Sequence, residues 1–161
     1  MLTHGGVWVA SRQEIDRLKT KNLCHYCIGE SFLQHEVRRE GRRRRCSYCA
    51  RRAKSCSIGE MAERIEAVFD QHYRRTSDQP NSWQQSMLSD RESDYEWSRD
   101  GEPVVFAIMN AADIPEAAAD DIQAVLDYEH GDIESARMGE ETEFCASAHY
   151  EQKGASDRAW Q

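Results

Sequence analysis

Two Cys-x-x-Cys pairs, Cys24-His25-Tyr26-Cys27 and Cys46-Ser47-Tyr48-Cys49, stand 18 residues apart in this chain. Each pair holds two sulfurs on one side of a tight turn, and the spacer lets the chain leave, form one element and return. Four thiolates then close a tetrahedron around zinc with Zn–S about 2.3 Å, and no position stays open for water or substrate. A closed site is structural rather than catalytic. The spacing therefore names Cys24, Cys27, Cys46 and Cys49 as metal ligands and Zn2+ as the cofactor; metal-free thiols and a disulfide are the competing readings. The first 14 residues have neither the basic n-region nor the long apolar core of a secretory signal, so a reducing, cytoplasmic setting is expected.

Charge is divided unevenly along the 161 residues. Residues 1–76 carry 16 Lys/Arg against 9 Asp/Glu, whereas residues 77–161 carry 5 against 20, so a basic half at +7 precedes an acidic half at −15. Either the first half meets an anionic partner, or the two halves dock on each other. No apolar run approaches the roughly 18 residues of a membrane span.

The local patterns are mostly helical. Residues 1–10 have no usable periodicity and read as an irregular lead-in. Ser11 with Glu14 forms a capping box ahead of a short helix over 12–21. Between the cysteine pairs, Phe32, Leu33 and Val37 recur at helical spacing and Gly41 follows as a terminator, so the spacer is expected to be a helix rather than part of an all-β ribbon. Ser57 and Glu60 form a second capping box, and Met61, Ile65, Val68 and Phe69 give the strongest apolar face in the chain. Residues 76–102 read as a long connection anchored by Trp83, Met87, Leu88 and Trp97. Val104 to Ala112 predicts a helix, with a buried strand as the alternative, and Asp113 with Glu116 predicts a third capping box opening a helix to about His130. The acidic tail has no clear period; its aromatics are expected to pack and its last dozen residues to fray. The expected fold is thus mostly α: a small helical domain with a four-cysteine zinc knuckle pair near its N-terminus.

Arg42-Arg43-Arg44-Arg45 lies directly before Cys46. One reading is a solvated loop whose cations offset the charge of four thiolates; the other is an anion or partner contact that binds phosphates. Two further groups are noted. Asp120-Asp121 reads as a solvated acidic face near a helix start, and Cys145 with His149 is a dyad without a third group.

Leu23-Cys24-His25-Tyr26-Cys27-Ile28-Gly29-Glu30, Phe32-Leu33, Cys46-Ser47-Tyr48-Cys49, the Met61 to Tyr73 helix, Trp97 before Gly101-Glu102-Pro103, Asp113-Ile114 and His149-Tyr150 follow in order. This order resembles the HEPN/RES N-terminal domain over roughly residues 20–150. The resemblance implies a helical module standing in front of a bacterial RES domain, a fold associated with NAD-consuming toxins and defence proteins. It divides the chain into a lead-in at 1–20, the zinc-binding helical domain at 21–150 and a frayed end at 151–161. The RES domain itself is not contained in these residues. Active HEPN ribonucleases place an Arg a few residues before a His, and here Arg64 and His72 are separated by seven residues and Arg137 and His149 by eleven. The expected function is therefore a non-enzymatic, zinc-stabilised accessory domain that regulates or targets a RES-type protein partner, in cis or in trans. The alternative is a zinc-containing nucleic-acid-binding module that uses the Arg-rich segment.

Overall fold

The computed structural model describes residues 2–4 and 7–154. Two short strands, β1 (Leu2–His4) and β2 (Val7–Val9), pair antiparallel at the start of the chain. Ser11 then caps α1 (Arg12–Lys19) through the expected reciprocal bonds with Glu14, and Ile15 on its inner face is buried. Strand β3 (Asn22–Cys24) runs into a 3-10 turn over His25–Cys27, and α2 (Ser31–Glu40) fills the spacer.

The next segment departs from the expectation. Arg42–Arg45 form a strand, β4, which pairs antiparallel with β5 (Arg52–Ser57), and β3 pairs along the other side of β5. A run of charges carries no apolar alternation and so suggests a loop, yet the backbone of these arginines is fixed by β5, a partner beyond the second cysteine pair. Gly41 does end α2, though in an extended conformation rather than a left-handed one. Glycine is needed there for close approach: a Cβ would run into the carbonyls of Val37 and Ser55.

Helix α3 (Ile58–His72) starts where β5 ends, with Ser57 and Glu60 forming the expected capping box, and β6 (Tyr73–Arg75) starts where α3 ends. Fifteen residues make a strut of about 22 Å. Beyond it come α4 (Ser82–Ser89), β7 (Glu102–Pro103), α5 (Val104–Ala112), α6 (Glu116–His130), α7 (Ile133–Arg137) and β8 (His149–Gln152). Strand β8 lies between β6 and β7, all antiparallel, so the acidic tail closes a second three-stranded sheet at the far end of α3. The described residues thus hold seven α-helices and three small sheets, so the expected helical domain carries more strand than the sequence patterns suggest.

Most core residues come from α3, α5 and α6, among them Met61, Ile65, Ile108, Ile122, Val125 and Leu126, all fully buried. Burying a side chain of this size contributes about 1.5–3 kcal/mol, so this bundle is the platform on which both outer sheets rest. Two other expectations fail, one of them in part. Residues 113–116 form no capping box: Asp113 ends α5 in a left-handed conformation, and Pro115 occupies the cap of α6 without a side-chain bond. The 76–102 connection is anchored only in part as expected: Met87 and Trp97 are half-buried, but Trp83 and Leu88 are exposed and α4, capped by Asn81 with Gln84, buries no residue. Residues 151 and 152 belong to β8 rather than to a frayed end, and residues 155–161 lie outside the described residues.

Candidate metal centre

The first knuckle forms where β3 ends. Cys24 leaves the strand and enters the 3-10 turn that brings Cys27 back beside it, with the Ile28 amide donating to the His25 carbonyl at 3.2 Å. The second knuckle is the tip of the β4–β5 hairpin. There the Ala50 amide donates to the Cys46 carbonyl at 3.0 Å, Cys46 donates to Arg51 at 2.8 Å, and Ala50 takes a positive φ of 64° to turn the chain back. The knuckles are tied directly: the Ser47 amide donates to the Asn22 carbonyl at 2.8 Å, and the Asn22 amide donates to Ser47 Oγ at 3.0 Å.

The four sulfurs of Cys24, Cys27, Cys46 and Cys49 all lie within 4.8 Å of one another. Cys24 Sγ is 3.8 Å from Cys27 Sγ and 3.4 Å from Cys49 Sγ, and Cys27 Sγ is 3.8 Å from Cys46 Sγ. A tetrahedron of thiolates with metal–sulfur distances of about 2.3 Å has edges of about 3.8 Å, so the cluster has the dimensions to hold one metal ion. Among the described residues it is the sole group of this kind. Comparison with protein-family models, curated proteins and solved structures finds no match to this chain. Its chemistry therefore rests on its own geometry.

That geometry favours a cation at the centre. Burial, then the neighbouring Cys49 sulfur, pushes the thiols of Cys24 and Cys27 above their usual range. Cys46 goes the other way: burial opposes ionisation, but N–H donors from Tyr48, Cys24 and Cys49 outweigh it and bring the thiol down to about 7. The Cys24 and Tyr48 amides lie 3.5 and 3.4 Å from Cys46 Sγ. Backbone dipoles thus favour the thiolate of Cys46, while burial and the neighbouring sulfurs disfavour those of Cys24 and Cys27. A divalent ion removes that conflict by stabilising all four charges at once.

Side chains outside the knuckles support the site. Tyr48 donates to Asp121 Oδ2 at 2.6 Å, Lys21 Nζ reaches the same oxygen at 3.0 Å, and the Lys21 ammonium lies over the Tyr48 ring at 5.6 Å. Asp121, expected on a solvated face, instead links α6 to the second knuckle, while its neighbour Asp120 is exposed. Gly29 follows the first knuckle, and its amide donates to the Asp113 carbonyl at 2.7 Å; a Cβ there would collide with the Asp113 carboxylate. The sequence held no local sign of either contact.

Arg42, Arg43, Arg44 and Arg45 are all exposed on the outer strand of their sheet, and none makes an ion pair with a described residue. The two halves of the chain are joined by other cations: Lys19 to Glu129 at 2.6 Å, Lys21 to Asp121, and Arg75 Nη1 to the Glu141 carbonyl at 2.9 Å. Cys56 stands outside the cluster, its thiol pushed up to about 12 chiefly by burial. Cys145 Sγ contacts Ser147 Oγ at 3.3 Å and His149 Nδ1 faces the Ser147 carbonyl at 3.0 Å, so the dyad is occupied by Ser147 rather than joined.

Proposed function

We propose that the chain is a non-catalytic accessory module in which Zn2+ on Cys24, Cys27, Cys46 and Cys49 fixes a basic hairpin, and that this hairpin targets the module to a polyanion. The supporting observation is where the charge sits. Residues 42–54 contain six Arg and one Lys with no Asp or Glu, which leaves nine cations against nine carboxylates in the rest of residues 1–76. The whole basic excess of that half is concentrated on one hairpin. In a chain of net charge −8, seven cations held together with no carboxylate partner among the described residues repel one another, and an external anion relieves them. Closed four-sulfur coordination gives zinc a structural task, holding the hairpin's tip while its side chains remain free.

The resemblance to the HEPN/RES N-terminal domain supplies the beneficiary of this targeting: a RES-type, NAD-consuming domain acting in cis or in trans. The isolated chain is then expected neither to consume NAD nor to cleave RNA. Retention on immobilised heparin tests the reading. The parent should elute at substantially higher salt than a variant carrying R42Q, R43Q, R44Q and R45Q together, with equal zinc content in both. Equal elution would remove the hairpin from the function. NAD loss or RNA cleavage at constant specific activity through successive purification steps would remove the non-catalytic assignment.

A further inference from the structure

The hairpin carries two arrangements that point to one class of ligand. The register sets Arg43 opposite Lys54 and Arg45 opposite Arg52, and cross-strand partners project from the same face of a sheet. All four are exposed. Like charges placed directly opposite each other destabilise a sheet, so this two-by-two array gains from anions that bridge it. Arg43 and Arg45 are two residues apart on a strand, about 6.8 Å, the scale of one extended nucleotide. Three of the four are Arg, whose planar fork matches a phosphate better than a point charge does.

The second arrangement adjoins the first. Tyr26, on the first knuckle, is 60% exposed. The Arg51 guanidinium lies 4.9 Å from its ring centroid, and the ring of His25, its neighbour in sequence, lies 4.1 Å from it. Arg51 and Arg52 are consecutive, so this group of planar side chains continues into the cation array. Tyr48, at the equivalent place in the second knuckle, is instead turned inward onto Asp121. An exposed ring beside a row of cations is what an unpaired base uses, since every base has a face to stack. An acidic peptide would use the cations and leave the ring idle, and a duplex keeps its bases out of reach.

We propose that the hairpin and first knuckle bind single-stranded nucleic acid, with phosphates over Arg43, Arg45, Arg52 and Lys54 and a base stacked on the Tyr26–Arg51 pair. This rests on the hairpin being the working surface, as proposed above. Fluorescence anisotropy of the zinc-loaded full chain with a labelled single strand of about 12 nucleotides tests it, against a duplex of equal length and a poly-glutamate peptide. Four phosphate contacts to a single strand give a log–log salt slope of about −2.8, so affinity should fall about 50-fold between about 50 and 200 mM salt. R43Q with R45Q should flatten the slope by about 1.4. Tyr26→Leu should weaken binding about tenfold at an unchanged slope, with zinc content and circular dichroism as in the parent. If duplex binds as tightly as single strand and Tyr26→Leu changes nothing, the single-strand inference falls while the polyanion reading stands. Tighter binding of poly-glutamate, or salt-sensitive self-association through the acidic half, would make the occupant a protein and overturn the inference. No binding to any of the three probes at low salt would overturn both.

Discussion

At one end of α3 a three-stranded sheet leads into four cysteines; at the other a second three-stranded sheet leads into a cluster of aromatic rings. Both sheets are small, but they are secured by different chemistry. Around the cysteines the buried set is only Cys24, Cys46 and Ala53, with Cys27 and Tyr48 packed beside it. At the far end Phe69 stacks on Tyr73 at 4.2 Å and meets Tyr150 at 5.1 Å, and Phe144 lies against Phe69 and Tyr150 at 5.6 and 5.5 Å. Arg99 adds a bidentate pair with Glu141 and bonds to the carbonyls of Thr76 and Ser147. The difference follows from composition. A hairpin whose outer strand is all exposed arginine has little apolar area to bury, so the proposed metal coordination would supply the stability that rings supply at the other end.

The largest expected effect is removal of the metal. Structural zinc contributes on the order of 10 kcal/mol, far more than three buried side chains. Chelation under reducing conditions should release one equivalent and abolish amide protection in residues 42–57 while residues 144–152 stay protected. Fewer than about 0.3 equivalents in fresh reduced protein, or a Cys24→Ser variant with a protected hairpin, would break the contrast. Cys56→Ser should keep the metal.

Next is Phe144→Ala, which deletes a ring 3% exposed and should cost about 3–5 kcal/mol in urea denaturation. Metal stoichiometry in the folded variant should be unchanged. A variant that loses metal as well would show that the two ends are one cooperative unit.

Glu141→Gln removes the charge facing Arg99, a nearly buried partner, and should cost about 2 kcal/mol at neutral pH. The sign with pH is fixed by the direction of the shift. Arg99 holds the Glu141 carboxyl below its usual range, so the unfolded chain binds that proton more readily than the folded one. The contribution is therefore complete above the unfolded value of about 4.3 and is lost as pH falls through the lower folded value. Parent and variant should converge in stability at the acid end; a gap that persists there would assign the cost to packing.

The smallest effect belongs to Tyr48→Phe. Losing the bond to Asp121 should cost about 1 kcal/mol and leave the metal in place, since Tyr48 supports the second knuckle without coordinating. A drop in metal affinity of more than about tenfold, the scale of an outer-shell partner, would make Tyr48 part of the centre.

Much of this was readable in the residues. The boxes at Ser11 and Ser57, the helical spacer and the helix through Val104 all appear as expected, and the two cysteine pairs meet. Other readings failed for want of local information. Asp113 with Glu116 satisfied the capping pattern, but Asp113 had already been taken to end α5, and its carbonyl receives the amide of Gly29. Ser82–Ser89 forms a helix that the turn residues before it concealed, because Asn81 caps it.

The amino-acid order by itself determined the elements whose partners lie within one turn or one knuckle, since caps, helix bonds and Cys-x-x-Cys turns join residues three or four apart. The tertiary structure decided whatever depends on residues far along the chain. Arg42–Arg45 became a strand because Arg52–Ser57 lies beside it, and Arg74 met Glu151 across 77 positions. Lys21 and Tyr48 reached Asp121 across 100 and 73 positions. The same holds for the two knuckle tyrosines. Each stands two residues past the first cysteine of its pair, and what separates them is that α6 sets a carboxylate against Tyr48 and leaves Tyr26 exposed to solvent.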